Sequence, residues 1–429
     1  MTMISRTKEQ LGRLAEAIRK TPDDLYFAML VLYFLSMLLE CVGYTANIGG
    51  SNGFVRNTFT AFFLVFFGVF FVSVIFRSSA FFRRIRKVWV LLPVSVVIIL
   101  FLWLEDAQFN GAMIAILAVG AYGRDYRKIL KNFFWCMAAT IIAAGIGIPV
   151  GLTKEIPKVG AYGTGLSFGF SHANVWGTFA VMTFLLIWYL FEDNRTILTR
   201  RVFYALSWIL GVFMVIVPKC RTGALLLFLF PLMSVLCRGV IGDPGIRVFR
   251  RRNRARGIII CVLILAPFLC YLITLILGSQ REWLVVHTFG NYTENFSKRF
   301  IQSGLAFKEH GFPLIGERIR FHSGPAEHLG NYKIGLYVLD NSYAAFTILR
   351  GLVWMVPALL WLSYANWKMI RRKDHYLLTI SVLFCLLAMM ERYPFEIYNF
   401  VFLYPLASAS GCRGSAKIQR ISGSYGIYI

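Results

Sequence analysis

Long, uninterrupted apolar runs recur along the whole of this 429-residue chain. Most are about 16–22 residues long, which is the length that a helix needs to cross the hydrocarbon core of a bilayer. The runs do not alternate with polar residues, so transmembrane β-strands are excluded. Charged residues make up only 15% of the chain, whereas soluble proteins average about 25%. The sequence therefore predicts an all-α, polytopic integral membrane protein with a single membrane domain, residues 1–429.

About twelve of these runs are candidate transmembrane helices. The fourth, eighth and last are short, so we expect them to tilt or to thin the bilayer locally. One large loop, residues 279–342, lies between the ninth and the tenth. The candidate spans are residues 25–42, 57–76, 88–104, 110–123, 132–151, 172–191, 202–218, 222–237, 258–278, 343–363, 376–390 and 397–410.

The distribution of positive charge predicts the orientation of these spans. If the N-terminus lies inside, 31 of the 45 lysines and arginines fall in inner segments, 13 in outer segments, and one, Arg350, within a span. Inner loops of membrane proteins carry the excess of lysine and arginine. We therefore expect both termini in the cytoplasm and the large loop outside.

Composition also excludes several other classes of protein. A net charge of +24 would suit nucleic-acid binding, but most charges lie in short segments between apolar runs and are topology determinants. Nucleic acid is therefore not an expected partner. The eight cysteines show no spacing typical of zinc, and we expect neither metal nor cofactor. No small-residue cleavage pattern follows the basic N-terminal segment, so the first span is expected to remain as an anchor.

Lys219, Cys220 and Arg221 alone join two adjacent apolar runs. The predicted orientation puts this turn outside, where positive charge is scarce. One interpretation is that both cations snorkel to lipid headgroups. The other is a phosphate site, in which Arg221 binds in bidentate fashion, Lys219 adds a point charge, and the helix opened by Thr222 offers free N–H groups. Because three favourable terms converge on one anion, the phosphate site is the favoured interpretation.

Polar residues at the start of the sixth candidate span form a second candidate site. Ser171 is expected to cap the helix that follows. His172 and Asn174 then lie together at the outer mouth of the span. They are either part of a capped helix start or ligands for sugar hydroxyls or phosphate.

The large outer loop holds further candidates. Its aromatic residues predict a folded loop with short helices, one of them within Thr293–His310. Arg299 belongs to a second basic pair, and Arg320 lies beside His322 in a third basic cluster. Solvated surface charge is the alternative interpretation for each of them.

Asp340 and Asn341 immediately precede the tenth candidate span. A pair of this kind is a good helix cap, and Asp340 is alternatively a general base for a sugar hydroxyl. Arg350 follows one or two turns inside the membrane. An intramembrane arginine suggests function, although a structural arginine that snorkels is the alternative.

Three of these segments resemble, in the same order along the chain, those of bacterial O-antigen ligases and of O-antigen and capsule polymerases. Gly169–Gly177 looks like the His-x-Asn segment of capsule-type polymerases, and Cys220–Leu226 is similar to the Ser-Arg-x-x-x-Leu opening of a later span. The ligase signature is His, then Asn, Ser or Gln, then nine residues, then Gly. Asp340, Asn341 and Gly351 reproduce its spacing. Aspartate in place of the signature histidine favours a polymerase over a ligase.

The resemblance implies a glycosyltransferase of the bacterial cytoplasmic membrane that acts on undecaprenyl-pyrophosphate-linked oligosaccharide. Arg221, Lys219 and Arg299 would neutralise the pyrophosphate leaving group without a metal ion. Asp340 would accept the proton of the attacking hydroxyl, with His322 as the fallback base.

The remaining candidates would bind substrate: His172, Asn174, Arg320, Asn341 and Arg350. The lipid bilayer, a flippase and chain-length regulator proteins are the other expected partners. A ligase that transfers the glycan to another acceptor is the first alternative. A flippase or transporter for lipid-linked oligosaccharide is the second, but such a protein would line its spans with charge, and Arg350 is the only basic residue within a candidate span.

Overall fold

The structure, a computed structural model, describes twelve stretches of the chain. They are residues 3–39, 41–43, 51–77, 113–114, 116–155, 158–160, 163–191, 196–241, 253–279, 294–317, 339–396 and 398–407. Their regular structure is almost entirely α-helical, which confirms the predicted all-α class. Among these residues the only sheet is a small antiparallel hairpin in which Lys158 pairs with Gly165.

The elements are numbered here in chain order. The first half of the chain contains α1 (Met3–Lys20), α2 (Asp23–Leu39), α3 (Ser51–Arg77), α4 (Tyr126–Gly147), β1 (Lys158–Gly160), β2 (Gly163–Gly165), α5 (Ala173–Leu190) and α6 (Ile197–Ile216). The second half contains α7 (Arg221–Ile241), α8 (Asn253–Ile264), α9 (Ala266–Ser279), α10 (Glu294–His310), α11 (Ser342–Arg350), α12 (Leu352–Arg371), α13 (His375–Met390), α14 (Tyr393–Glu396), a 3-10 helix (Asn399–Leu403) and α15 (Tyr404–Ala407).

Several described helices are long and apolar enough to cross a membrane. Four meet this criterion alone, namely α4, α5, Leu198–Ile216 of α6, and α7. The number rises to six if each bent pair counts as one span: α1 with α2, bent by 87°, and α8 with α9, bent by 70°. Large apolar side chains such as Trp135, Ile209 and Leu232 are exposed on the outside of these helices. Lipid suits such a surface better than water does, so the helices indicate a membrane protein.

The predicted span at residues 258–278 consists of two helices that are separated by Leu265, and Pro267 lies in the first turn of the second. Proline has no N–H, so the carbonyl of Leu263, four residues earlier, loses its helical partner. The buried Asn366 on α12 replaces it, donating from Nδ2 to that carbonyl at 2.8 Å. Ser381 on α13 in turn donates to Oδ1 of Asn366 at 2.6 Å. This polar chain lets a bent helix remain in an apolar bundle.

The predicted span at residues 343–363 is also two helices, α11 and α12, separated by Gly351. Gly351 has φ +81°, a left-handed conformation that ends a helix and that only glycine adopts without strain. Residues 311–317, which follow α10, pack into the break. The N–H of Leu352 donates to Pro313 at 2.9 Å, and the N–H of Glu317 donates to Ile348 at 2.8 Å. This segment therefore supplies backbone partners that the broken helix lacks.

Two glycines set the close crossing of α9 and α10, and this crossing positions α10. A Cβ on Gly304 would lie only 1.7 Å from the carbonyl oxygen of Gly278. We expect Gly304→Ala to lower the free energy of unfolding by about 1–3 kcal/mol, because the backbones must separate to admit the methyl group. Thermal unfolding of the purified protein in detergent measures this change.

Gly68→Ala in α3 is the matched control for the Gly304 variant. A Cβ at Gly68 meets no atom within 4 Å. Alanine is also a better helix former than glycine by up to about 1 kcal/mol, so the unfolding temperature should be unchanged or higher. Equal unfolding temperatures for the two variants would contradict the close crossing of α9 and α10.

Candidate active site

The turn between α6 and α7 is held in an unfavourable conformation. Lys219 has φ +56°, which is uncommon for a residue with a side chain. Gly165 of β2 packs against this turn, since a Cβ there would lie 2.4 Å from the carbonyl oxygen of Pro218. Arg221 then begins α7 with an exposed side chain, although a cation at a helix N-terminus opposes the helix dipole. Two locally unfavourable choices at one turn are typical of a functional site.

The start of α5 differs by one residue from the prediction. His172, not Ser171, is the N-cap, and its Nδ1 accepts from the N–H of Asn174 at 3.1 Å. The expectation that Ser171 caps this helix is therefore wrong. The N–H of Ser171 is bonded to the carbonyl of Cys41 at 2.9 Å, which keeps the chain extended and delays the helix.

A buried cysteine joins the starts of α5 and α7. A Cβ on Gly177 would lie 2.3 Å from Sγ of Cys220, so the glycine makes room for the thiol. The same Sγ lies 4.0 Å from the carbonyl oxygen of Asn174. The structure thus brings the turn that carries Lys219 and Arg221 next to the α5 start.

Arg299 on α10 reaches the first turn of α7 from the other side. Its side chain is buried, with the residue 9% exposed. Nη1 donates to Oγ1 of Thr222 at 3.0 Å and also to the carbonyl of Met390. Nε lies 3.5 Å from Oδ2 of Asp340, and Nη2 lies 3.0 Å from Oε1 of Glu391. One guanidinium therefore ties together α7, the start of α11 and the end of α13.

The two carboxylates keep Arg299 charged in its buried position. Burial alone would lower the pKa of the Arg299 guanidinium, but Glu391 and Asp340 more than offset this, so the pKa is raised. Burial raises the pKa of Glu391, Asp340 adds to the rise, and Arg299 opposes it without cancelling it. Both shifts favour the protonated form of the group concerned. Arg299 stays cationic, and Glu391 is easier to protonate than a solvated glutamate.

The two carboxylates differ in their access to solvent. The Asp340 side chain is 32% exposed, whereas that of Glu391 is 2% exposed. The Asp340 contact with Arg299 is also the longer of the two. Asp340 is therefore the carboxylate that an incoming molecule can reach.

Asn341 and Ser342 fix the position of this carboxylate pair. Asn341 is the N-cap of α11, as predicted, with Oδ1 accepting from the N–H of Ala344 at 3.1 Å. Its Nδ2 donates to the carbonyl of Met389 at 2.8 Å. The Ser342 hydroxyl donates to the carbonyl of Glu391 at 2.5 Å. The last carbonyls of α13 have no helical donors of their own, so these side chains satisfy them.

The nine-residue spacing noted in the sequence is the length of α11. Asn341 caps its start, and Gly351 in the left-handed conformation follows its last residue. Arg350 is that last residue and is buried, 6% exposed. A cation at the negative end of a helix is favourable, which gives Arg350 a structural role beside its predicted functional one.

Glu391 and Thr222 were not among the residues that the sequence singled out for this cluster. In the sequence Glu391 lies directly after an apolar run, which is the usual position of a surface charge and did not indicate burial. Arg320 and His322 lie outside the described residues. Arg299, Asp340 and Asn341 come together with Thr222, and His172, Asn174, Lys219 and Arg221 lie on the adjoining helix starts.

No family model, no curated protein and no solved structure matches this chain. The resemblance to O-antigen ligases and polymerases stays a prediction from three short segments.

Proposed function

We propose that this chain is a glycosyltransferase that joins undecaprenyl-pyrophosphate-linked repeat units into a cell-surface polysaccharide. The supporting observation is the convergence of the starts of α5, α7 and α11 around Thr222 and Arg299. These three segments are far apart in sequence, and they are the ones that resemble the polymerase and ligase family. At this meeting point the Arg299 guanidinium lies beside the Asp340 carboxylate, and a cation beside a proton acceptor suits transfer from a pyrophosphate.

The cations of the site would bind the pyrophosphate leaving group. Arg221 offers a planar fork at the start of α7, and Lys219, two residues earlier, adds a point charge. The positive end of the α7 dipole would add to the binding of the same anion. Together they would stabilise the negative charge that develops as the anomeric C–O bond to phosphate breaks.

Asp340 is assigned the role of general base. Its carboxylate accepts the proton of the acceptor hydroxyl as the oxygen bonds to the anomeric carbon, and the lipid pyrophosphate departs. His172 and Asn174, beside the Lys219 turn, are assigned to the donor's sugar or phosphate. Arg320, His322, Asn341 and Arg350 remain the other candidates.

We propose twelve spans in the bacterial cytoplasmic membrane, with both termini in the cytoplasm and residues 279–342 outside. Single cysteines placed at Gly324 and at Gly245, in a background without native cysteines, should differ in labelling. An impermeant thiol reagent is expected to label Gly324→Cys in intact cells and Gly245→Cys only after permeabilisation. The reverse pattern would put the site on the wrong face for this reaction.

Two alternatives differ from the polymerase in the step they perform. An O-antigen-type ligase would use the same donor and the same cations with another acceptor. A flippase or transporter needs charge along a path through its spans, whereas Arg221, Asp340 and Glu391 of this site lie at helix ends. A flippase and chain-length regulator proteins are, on the proposed function, partners of the chain.

A strain that lacks this chain separates the three functions. Loss of a polymerase leaves single lipid-linked repeat units on the outer face of the membrane. Loss of a ligase leaves long polymer on the lipid carrier, and loss of a flippase leaves single units on the inner face. Long carrier-linked polymer or inner-face units in that strain would overturn the proposed function.

A further inference from the structure

We propose that the donor's phosphate and the Asp340 carboxylate exchange at the same edge of Arg299, while Glu391 holds the guanidinium in place. This inference rests on the proposed function. It assigns Glu391 as a positioning residue and makes Asp340 available as a base only when a donor is bound.

The contacts of Arg299 leave one edge at which an anion can enter. Nη1 is occupied by Thr222 and by the carbonyl of Met390. Nε and Nη2 form the side edge of the guanidinium, the edge that grips a carboxylate or phosphate in bidentate fashion. Here this edge is divided between Asp340 and Glu391. A phosphate can bind there only if one of the two carboxylates moves away.

Asp340 is the carboxylate that the geometry allows to move. It makes the longer contact with Arg299, 3.5 Å against 3.0 Å, and its side chain is partly exposed. An ion pair with solvent access is weak, so its exchange for a pyrophosphate, which carries more negative charge in total than a carboxylate, costs little free energy.

Glu391 is the carboxylate that stays. Its side chain is 2% exposed, and its backbone carbonyl is held by the Ser342 hydroxyl. Removing one member of a buried ion pair leaves the other uncompensated, which is strongly unfavourable. Arg299 therefore keeps a fixed orientation during the exchange.

The exchange makes donor binding precede proton transfer to Asp340. Before the donor binds, Asp340 is engaged with Arg299 and is a poor proton acceptor. Once phosphate occupies the edge, the carboxylate is released beside the anomeric carbon. The base thus acts on the acceptor hydroxyl only when the leaving group is in place.

Binding of undecaprenyl pyrophosphate to the full-length protein in lipid nanodiscs tests the inference. Asp340→Asn removes the competing charge and is expected to bind about two- to fivefold more tightly than the wild type, the scale of a partly exposed ion pair. Asp340→Ala should tighten binding in the same way. Glu391→Gln should not tighten it, because that carboxylate is not displaced. Glu317→Gln is the matched control. It makes the same substitution on the segment that packs at the α11–α12 break, and it should bind like the wild type.

Each result of this experiment decides something. Unchanged or weaker binding by both Asp340 variants, with normal binding by the wild type, would overturn the exchange and leave the proposed function standing. Tighter binding by Glu391→Gln would show that the buried carboxylate is the one displaced, which also overturns it. Absence of binding by the folded wild type would overturn the proposed function and this inference together.

Discussion

Replacing Arg221 with lysine is expected to remove most of the polymer while the protein still inserts into the membrane at its normal level. Arg221 is the exposed first residue of α7, beside the strained Lys219. Lysine keeps the positive charge but lacks the planar fork that binds phosphate in bidentate fashion. Loss of one donor to a developing oxyanion typically costs about 10²–10³-fold in rate. Gel analysis of polymer from cells with matched expression measures the effect.

Arg201→Lys is the matched control for this experiment. Arg201 is exposed near the other end of α6, far from the α6–α7 turn. Its replacement by lysine is the same substitution as at Arg221. We expect polymer from this variant to match the wild type. Near-normal polymer from Arg221→Lys as well would leave Arg221 as a residue that snorkels to lipid headgroups.

Asp340→Asn is expected to accumulate single lipid-linked repeat units with little long polymer. The substitution keeps the shape of the side chain and removes the proton acceptor. General bases typically contribute about 10²–10⁴-fold in rate, so transfer should slow by that factor although donor binding is not weakened. Polymer length on gels, with the lipid-linked intermediates quantified, measures both effects.

His322→Ala identifies the base if Asp340 is not the one. An unperturbed histidine titrates near neutrality and is a competent base. Normal polymer from Asp340→Asn together with none from His322→Ala would transfer the role to His322. Normal polymer from both would leave Asp340 as an ion-pair partner of Arg299 only, with catalysis by the cations and by positioning.

The helices and several of their ends could be predicted from the sequence alone. Apolar runs make helices in a membrane because every backbone N–H and C=O must be satisfied within the segment, and this is a local property. The cap at Asn341 is local as well, since a side chain reaches an N–H three residues away. The nine residues between Asn341 and Gly351 likewise form one short helix. The helix ends at Gly351 because glycine tolerates the left-handed conformation.

The partners of Arg299 were decided by tertiary structure. In the sequence Arg299 is one of two adjacent cations in a predicted loop helix, and arginine is a residue type that is rarely buried. Its contacts with Thr222 and Met390 join residues 77 and 91 positions away. They form only because Gly278 and Gly304 let α10 lie directly on α9. A single sequence carries the propensity of each segment, but the pairing of charges between distant helix ends depends on packing that no local pattern contains.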